Sequence, residues 1–178
     1  MKHFSKGLFL GAVFGALTMA APQLQAATPQ DQLVMGTSLA QVLSLDPQQA
    51  TEGKAVEIMS NLYDRLVAST ADGKILPQLA ESWKVDDKGI TFTLRKANFA
   101  SGNPVTSKDV VYLLGRLLKM DQAAAANLKR VGYDKNNVDK LVKAVDDQTV
   151  RIDLSDQVTA ELLLYRLTTT TTLSLIHI

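Results

Sequence analysis

The sequence predicts an α/β fold in which a mixed sheet carries flanking helices and hairpins. Three observations support it. Strand-like alternation about an Asp-containing turn occurs at residues 82–94 and is echoed sixty positions later. Apolar stripes at helical spacing occupy two further segments, before and between these hairpins. The composition, 46% hydrophobic and 21% charged over 178 residues, belongs to a chain that buries a core, with one domain expected from its length.

The amino terminus reads as a cleavable export signal rather than as part of that fold. Lys2 and Lys6 supply a basic start, Leu8 to Ala21 runs almost wholly apolar, Pro22 breaks the run, and Ala26-Ala27 forms a small-residue exit. A membrane anchor is the competing reading, but these 14 residues fall short. A spanning helix needs about 20, each rising about 1.5 Å. Residues 1–26 are therefore expected to be a signal peptide cut after Ala26. Because the sequence has no cysteine to carry a lipid anchor, a free protein in a Gram-negative periplasm is expected.

The remaining elements come in order along the chain. Beyond a polar lead-in at Thr28–Gln32, Leu33-Val34-Met35 is a short strand-like run closed by Gly36. Ala55, Ile58, Met59, Leu62, Tyr63 and Leu66 make one helical stripe. Thr51 is its expected N-cap, and Glu52 stands in the first turn, where a carboxylate suits the helix dipole. Asp72-Gly73 marks a turn between extended stretches. In the first hairpin Trp83 and Val85 alternate on one arm, and Asp87-Lys88-Gly89 turns the chain. Ile90, Phe92 and Leu94 alternate with Thr91 and Thr93 on the other arm. One face is thus buried, with Trp83 filling the core beneath the hairpin, and the threonine face is wetter. Asn98 to Pro104 is a loop. Thr106 with Asp109 resembles a capping box, opening a helix whose Val110, Val111, Leu114, Leu117 and Leu118 form the second stripe. Ala123 to Arg130 reads as helical and is stopped by Gly132, and Ala160 to Leu167 reads as a last helix. Between these, Val145 to Leu154 repeats the pattern of Val85 to Leu94, as two similar hairpins of one sheet would.

The chemistry available is sparse. The 19 Lys+Arg against 18 Asp+Glu give a net charge of +1, which is no basic footprint for nucleic acid. There is no cysteine, and the two histidines, His3 and His177, lie at the extreme ends. The interior therefore supports neither a Cys/His zinc site, nor a disulfide framework, nor a Ser-His-Asp or Cys-His centre. No metal site and no cofactor is expected. The one catalytic option is a secreted, glycosidase-like carboxylate hydrolase, using a pair among Asp86, Asp87, Asp146, Asp147 and Glu161. The aspartates fall at predicted turn tips, where Asp is favoured for local hydrogen bonding, and this weighs against a desolvated acid. A structural or chaperone-like role is a third option.

An ordered series of segments carries a resemblance. The series opens with Ser44-Leu45-Asp46-Pro47 and Asn61-Leu62-Tyr63-Asp64-Arg65-Leu66-Val67. Leu79-Ala80-Glu81-Ser82-Trp83 and Thr91-Phe92-Thr93-Leu94-Arg95 come next. It closes with Phe99 through Gly102-Asn103-Pro104-Val105-Thr106 into Asp109-Val110-Val111-Tyr112. Together these segments resemble the large solute-binding proteins of peptide and nickel ABC importers, family 5, from about Leu33 to Leu167. One position departs: the family usually carries an acidic residue before the loop glycine, and this chain has Ser101.

The resemblance implies the amino-terminal part of a two-lobed periplasmic binding protein, type II-like, that closes on ligand by hinge motion and is no enzyme. Peptide-binding members hold an extended peptide through its backbone, as an added strand. The implied ligand is a di- or oligopeptide, with a nickel complex, haem or an oligosaccharide as other classes that the family carries. The implied partner is an inner-membrane ABC permease, and the full-length protein is implied to be a monomer. Candidate ligand contacts, on loops after the first strand and before the first long helix, are Ser38, Thr51, Glu52 and Gly53. Arg95 reads as scaffold, paired with a structural carboxylate or carbonyl, and Asp109 as serving the helix start. Family members run well beyond this length, so residues 27–167 are expected to form an incomplete first lobe. Residues 168–178 read as an anomalous tail. With suitable codons, Leu173 to Ile178 is what a transposon mosaic-end sequencing adapter encodes, although its apolar, β-branched composition also permits a strand.

Overall fold

The computed structural model describes residues 31, 32, 34, 36, 40, 42–50, 52–168 and 173–175. The expected signal peptide and most of the strand expected at 33–35 lie outside these residues. The chain divides into two compact units, Met1–Gly36 and Thr37–Ile178, and the helices and strands of the described residues lie in the second.

The first stripe forms helix α1, Gly53–Leu62. Ala55 and Met59 are buried with Ala50, and Val42, Val56 and Tyr63 pack around them in a small cluster separate from the main core. Glu52, expected in the first turn, is instead the N-cap residue, in extended conformation. The helix also ends earlier than the stripe suggests. Strand β1, Tyr63–Arg65, continues from Leu62 without a break. Long-range hydrogen bonds account for this: the carbonyls of Arg65 and Leu66 accept from the amides of Leu79 (3.0 Å) and Ala80 (2.9 Å), which a helical backbone would have spent within the helix. Strands β2, Val67–Ser69, and β3, Ile75–Pro77, then form an antiparallel pair across the Asp72-Gly73 turn, with Gly73 at φ +85° as a left-handed turn position requires.

The two predicted hairpins are present. Strands β4, Ala80–Asp86, and β5, Gly89–Leu94, make the first; β6, Val142–Asp146, and β7, Thr149–Asp153, make the second. They join into one sheet in the order β4-β5-β7-β6. The sequence led us to expect a mixed sheet; among the described residues every pairing is antiparallel. The long helical connection from β5 to β6 leaves the position between them for β7, so no two neighbours run the same way.

The inner strands β5 and β7 meet around a local two-fold axis. Thr91 lies opposite Arg151 at its centre, with Gly89 opposite Asp153 at one end and Thr93 opposite Thr149 at the other. Each hairpin turn clasps the strand of the other. Leu94 N–H donates to the Gln148 carbonyl and Leu154 N–H to the Lys88 carbonyl, both at 2.7 Å. The repeat extends past the hairpins themselves, because Val105-Thr106 and Val158-Thr159 both introduce a helix capped at its threonine.

The first of these helices, α2 (Ser107–Met120), opens with the expected capping box: Thr106 N–H donates to Asp109 Oδ2 at 2.7 Å. A 3₁₀ turn at Ala123–Ala125 and the short α3, Ala126–Lys129, come next, and Gly132 ends the segment at φ +83°. Helix α4, Val138–Leu141, has no counterpart in the sequence reading. Helix α5, Ala160–Leu167, has the expected bounds. Ile90, Phe92, Leu94, Val150 and Ile152 form the buried sheet face, and Leu114, Leu117, Leu118, Leu163 and Leu167 belong to the same core. Trp83 is only half-buried, its ring 6.5 Å from that of Phe92. It lies on an edge strand and closes the margin of the core, instead of filling its middle as expected. Finally β8, Leu173–Leu175, pairs antiparallel with β1. The Thr168 carbonyl accepts from Arg65 Nη1 at 3.1 Å.

Candidate functional site

The residues expected to touch ligand cluster in sequence just before α1, so the site is built from the segment 42–53. Ser38 and Thr51 lie outside the described residues. Glu52 caps α1 through its carbonyl, which accepts from Val56 N–H at 3.0 Å, while its side chain makes no capping hydrogen bond. Gly53 is exposed, and a Cβ built there would meet nothing within 4 Å, so the helix start faces open space.

The preceding turn is closely organised. Asp46 N–H donates to Ser44 Oγ at 3.0 Å, and Gln48 N–H donates to Asp46 Oδ1 at 3.0 Å. The amides of Gln49 and Ala50 both donate to the Asp46 carbonyl at 3.0 Å. Helix α2 grips this turn from the side. Arg116 Nη1 donates to Asp46 Oδ1 (3.1 Å) and Gln48 Oε1 (2.6 Å), Arg116 Nη2 donates to Asp46 Oδ2 (2.5 Å), and Gln48 Nε2 donates to the Leu113 carbonyl (2.7 Å). Gln48 is buried at 2% exposure, and both polar atoms of its side chain find partners.

The hydrogen bond from Arg116 holds the Asp46 carboxyl below its ordinary value, partly offset by burial and reinforced by the Gln48 amide. Because the folded value is depressed, the contribution of this carboxylate is present above the unfolded value of about 3.9 and is lost as pH falls through the folded one. Asp46→Asn is therefore expected to lower the melting temperature at neutral pH, with the gap to the parent chain closing below about pH 4. A gap that persists undiminished in acid would contradict this.

The carboxylates considered for hydrolysis are not assembled. Asp86 Oδ1 accepts from the amides of Lys88 (2.9 Å) and Gly89 (3.0 Å), and Arg151 bonds both of its oxygens. Its carboxyl is consequently held well below the usual range, by Arg151 first and then by the Lys88 amide. Asp146 repeats the arrangement, accepting from Gln148 N–H at 2.8 Å, and is lowered chiefly by that amide. A general acid needs the opposite shift. The two turns also lie at opposite ends of the β5–β7 pair, beside Gly89 and Thr93. Four residues of strand separate those positions, about 14 Å at about 3.4 Å each. Paired glycosidase carboxylates stand about 5–9.5 Å apart. Glu161 is exposed in the first turn of α5.

Arg95 is held as expected, by the Asp64 carboxylate and by the Gln78 carbonyl at 3.0 Å. Sequence pattern places Asp46 within a motif but gives it no role, and it passes over Gln48 and Arg116. No local signal singles out the arginine: at about 100° per residue Arg116 falls opposite the apolar stripe of α2, where an arginine reads as an ordinary solvent-facing residue.

Known proteins share this architecture. The profile of the bacterial extracellular solute-binding proteins, family 5, middle region, matches residues 74–175. The periplasmic murein peptide-binding protein MppA of Escherichia coli is 36% identical over 124 residues, 62% of this chain and 23% of that protein. The periplasmic oligopeptide-binding protein OppA of the same organism is 30% identical over 172 residues, 86% of this chain and 32% of that protein. The substrate-binding domain of an oligopeptide ABC transporter from Bacillus anthracis superposes with a TM-score of 0.62 at 28% identity, over 72% of this chain and 27% of that one. The chain thus spans about a quarter to a third of the length of these proteins.

Proposed function

The chain belongs to the bacterial extracellular solute-binding proteins of family 5, and from that membership we propose that it is part of the peptide-binding component of an ABC importer. The observation that carries this reading is the likeness to an oligopeptide-binding protein across 86% of the chain. The whole protein is exported by its cleavable signal into the periplasm, where it works as a monomer. It takes up a di- or oligopeptide by closure of two lobes and hands it to an inner-membrane permease. The peptide lies extended, its backbone bonded as in an added strand, and Ser38, Thr51, Glu52 and Gly53 contribute contacts from this part of the chain. No bond is made or broken in this role, so Asp86 and Asp146, held in their charged form at separate turns, suit it.

Calorimetric titration of the full-length gene product with tetra-alanine tests the proposal. Saturable heat is expected, together with a higher melting temperature. Ligand at a hundredfold excess over Kd adds about 2.7 kcal/mol to a protein that binds it only when folded. Binding of a nickel chelate, haem or an oligosaccharide in place of peptides would move the protein to another branch of its family. Absence of all these would overturn the import role.

A further inference from the structure

The residues around the start of α1 have a small apolar cluster of their own. Ala50, Ala55 and Met59 form its buried centre, apart from the main core, and Tyr63 Oη closes it by donating to the Leu45 carbonyl at 3.1 Å. Hydrogen bonds from its turn reach one stretch of α2, at Leu113 and Arg116. The guanidinium of Arg116 serves three oxygens at once: both of Asp46 and the amide oxygen of Gln48. A planar fork of donors does this; a lysine ammonium is a single point of charge and cannot match the spread. Asp46 in turn orders the amides of Gln48, Gln49 and Ala50, which lead directly to Glu52 and Gly53.

We propose that Arg116 is a positioning residue for ligand binding: by latching the Asp46–Gln48 turn onto α2 it sets where the start of α1 stands against the bound solute. This rests on the peptide-binding reading, and it adds to it a residue more than sixty positions away in sequence that touches no ligand itself. The latch fixes the turn that leads into α1, while the other end of the helix runs straight into β1 at Leu62–Tyr63. Loss of the latch therefore frees the start of α1 without disturbing the four-stranded sheet.

Amide hydrogen exchange and tetra-alanine titration on the full-length gene product, as parent, Arg116→Ala, Arg116→Lys and Asp46→Asn, test this together. In Arg116→Ala and Asp46→Asn, exchange at Gln48, Gln49 and Ala50 is expected to quicken by about tenfold or more, with Phe92 and Val150 in the sheet unchanged. Peptide affinity is expected to fall by about tenfold in the same two variants, with Arg116→Lys between them and the parent. Exchange that rises equally in turn and sheet would reduce Arg116 to a general stabiliser and overturn the proposal. So would a freed turn with undiminished affinity. If the parent binds no tetra-alanine while the local exchange pattern holds, the peptide reading and the ligand role of Arg116 both fall, and the latch remains a tether within the fold.

Discussion

Phe92→Ala is expected to lower the unfolding free energy by about 3–5 kcal/mol, the range for removing a buried phenylalanine. A domain holds only about 5–15 kcal/mol in total, so the variant should stand near the edge of unfolding. Phe92 is wholly buried at the middle of β5, facing Trp83 on one side and Val150 on the other. Its neighbours along the strand, Ile90 and Leu94, belong to the same buried face, and strands on both sides leave the backbone little freedom to collapse into the gap. Urea denaturation reads the effect as a lower midpoint at unchanged slope. Phe92→Leu keeps most of the volume and should lose much less. A cost below about 1 kcal/mol for the alanine variant would mean that this face does not carry the core.

Gly89→Ala adds one methyl group and is expected to be nearly as damaging. A Cβ at this position would stand 2.4 Å from the Ile152 carbonyl oxygen and 2.8 Å from Asp153 Cα, both backbone atoms of the neighbouring strand. Neither can withdraw without spoiling the Gly89–Asp153 pair and the 2.7 Å hydrogen bond from Leu154 to Lys88 beside it. We expect a loss above about 3 kcal/mol, beyond the usual range for single substitutions. Gly115→Ala is the control. It lies inside α2, where an added methyl group would meet no atom within 4 Å, so the same chemical change should gain about 0.5–1 kcal/mol through helix propensity. Thermal denaturation of the two variants should thus move in opposite directions. A mild effect at Gly89 would require β5 and β7 to be spaced more widely than their pairing allows.

Much of this fold is written in local pattern. Period-two alternation through Ile90, Phe92 and Leu94 places those side chains on the buried face, and the Thr106–Asp109 spacing opens α2 where the capping box forms. Where long-range bonds compete with local preference, the pattern misleads. The stripe of α1 continues to Leu66, but the amides of Leu79 and Ala80 claim the carbonyls of Arg65 and Leu66, and the chain turns extended. Helix α4 is a single turn, too short for periodicity to reveal. The candidate site is legible in sequence only as a location. Glu52 and Gly53 stand at the start of α1, with Glu52 at the cap instead of in the first turn, and their setting depends on Arg116, whose partners Asp46 and Gln48 are about seventy positions away. No local rule joins such residues, because their meeting depends on the packing of α2 against the turn.

The two-fold meeting of the hairpins bears on the order in which this protein forms. Each hairpin closes through its own short turn and needs no help from the other, an event on the scale of about 1–10 μs. Joining β5 to β7 is different: it must bring together positions separated by the whole helical connection, and loop closure over that length sets the barrier. Because both clasps, Leu94 to Gln148 and Leu154 to Lys88, form only in the one register that aligns Thr91 with Arg151, a misaligned encounter gains neither. The symmetry thereby turns a slow search into one with a single productive ending, and the rate at which this chain folds should be governed by that docking step.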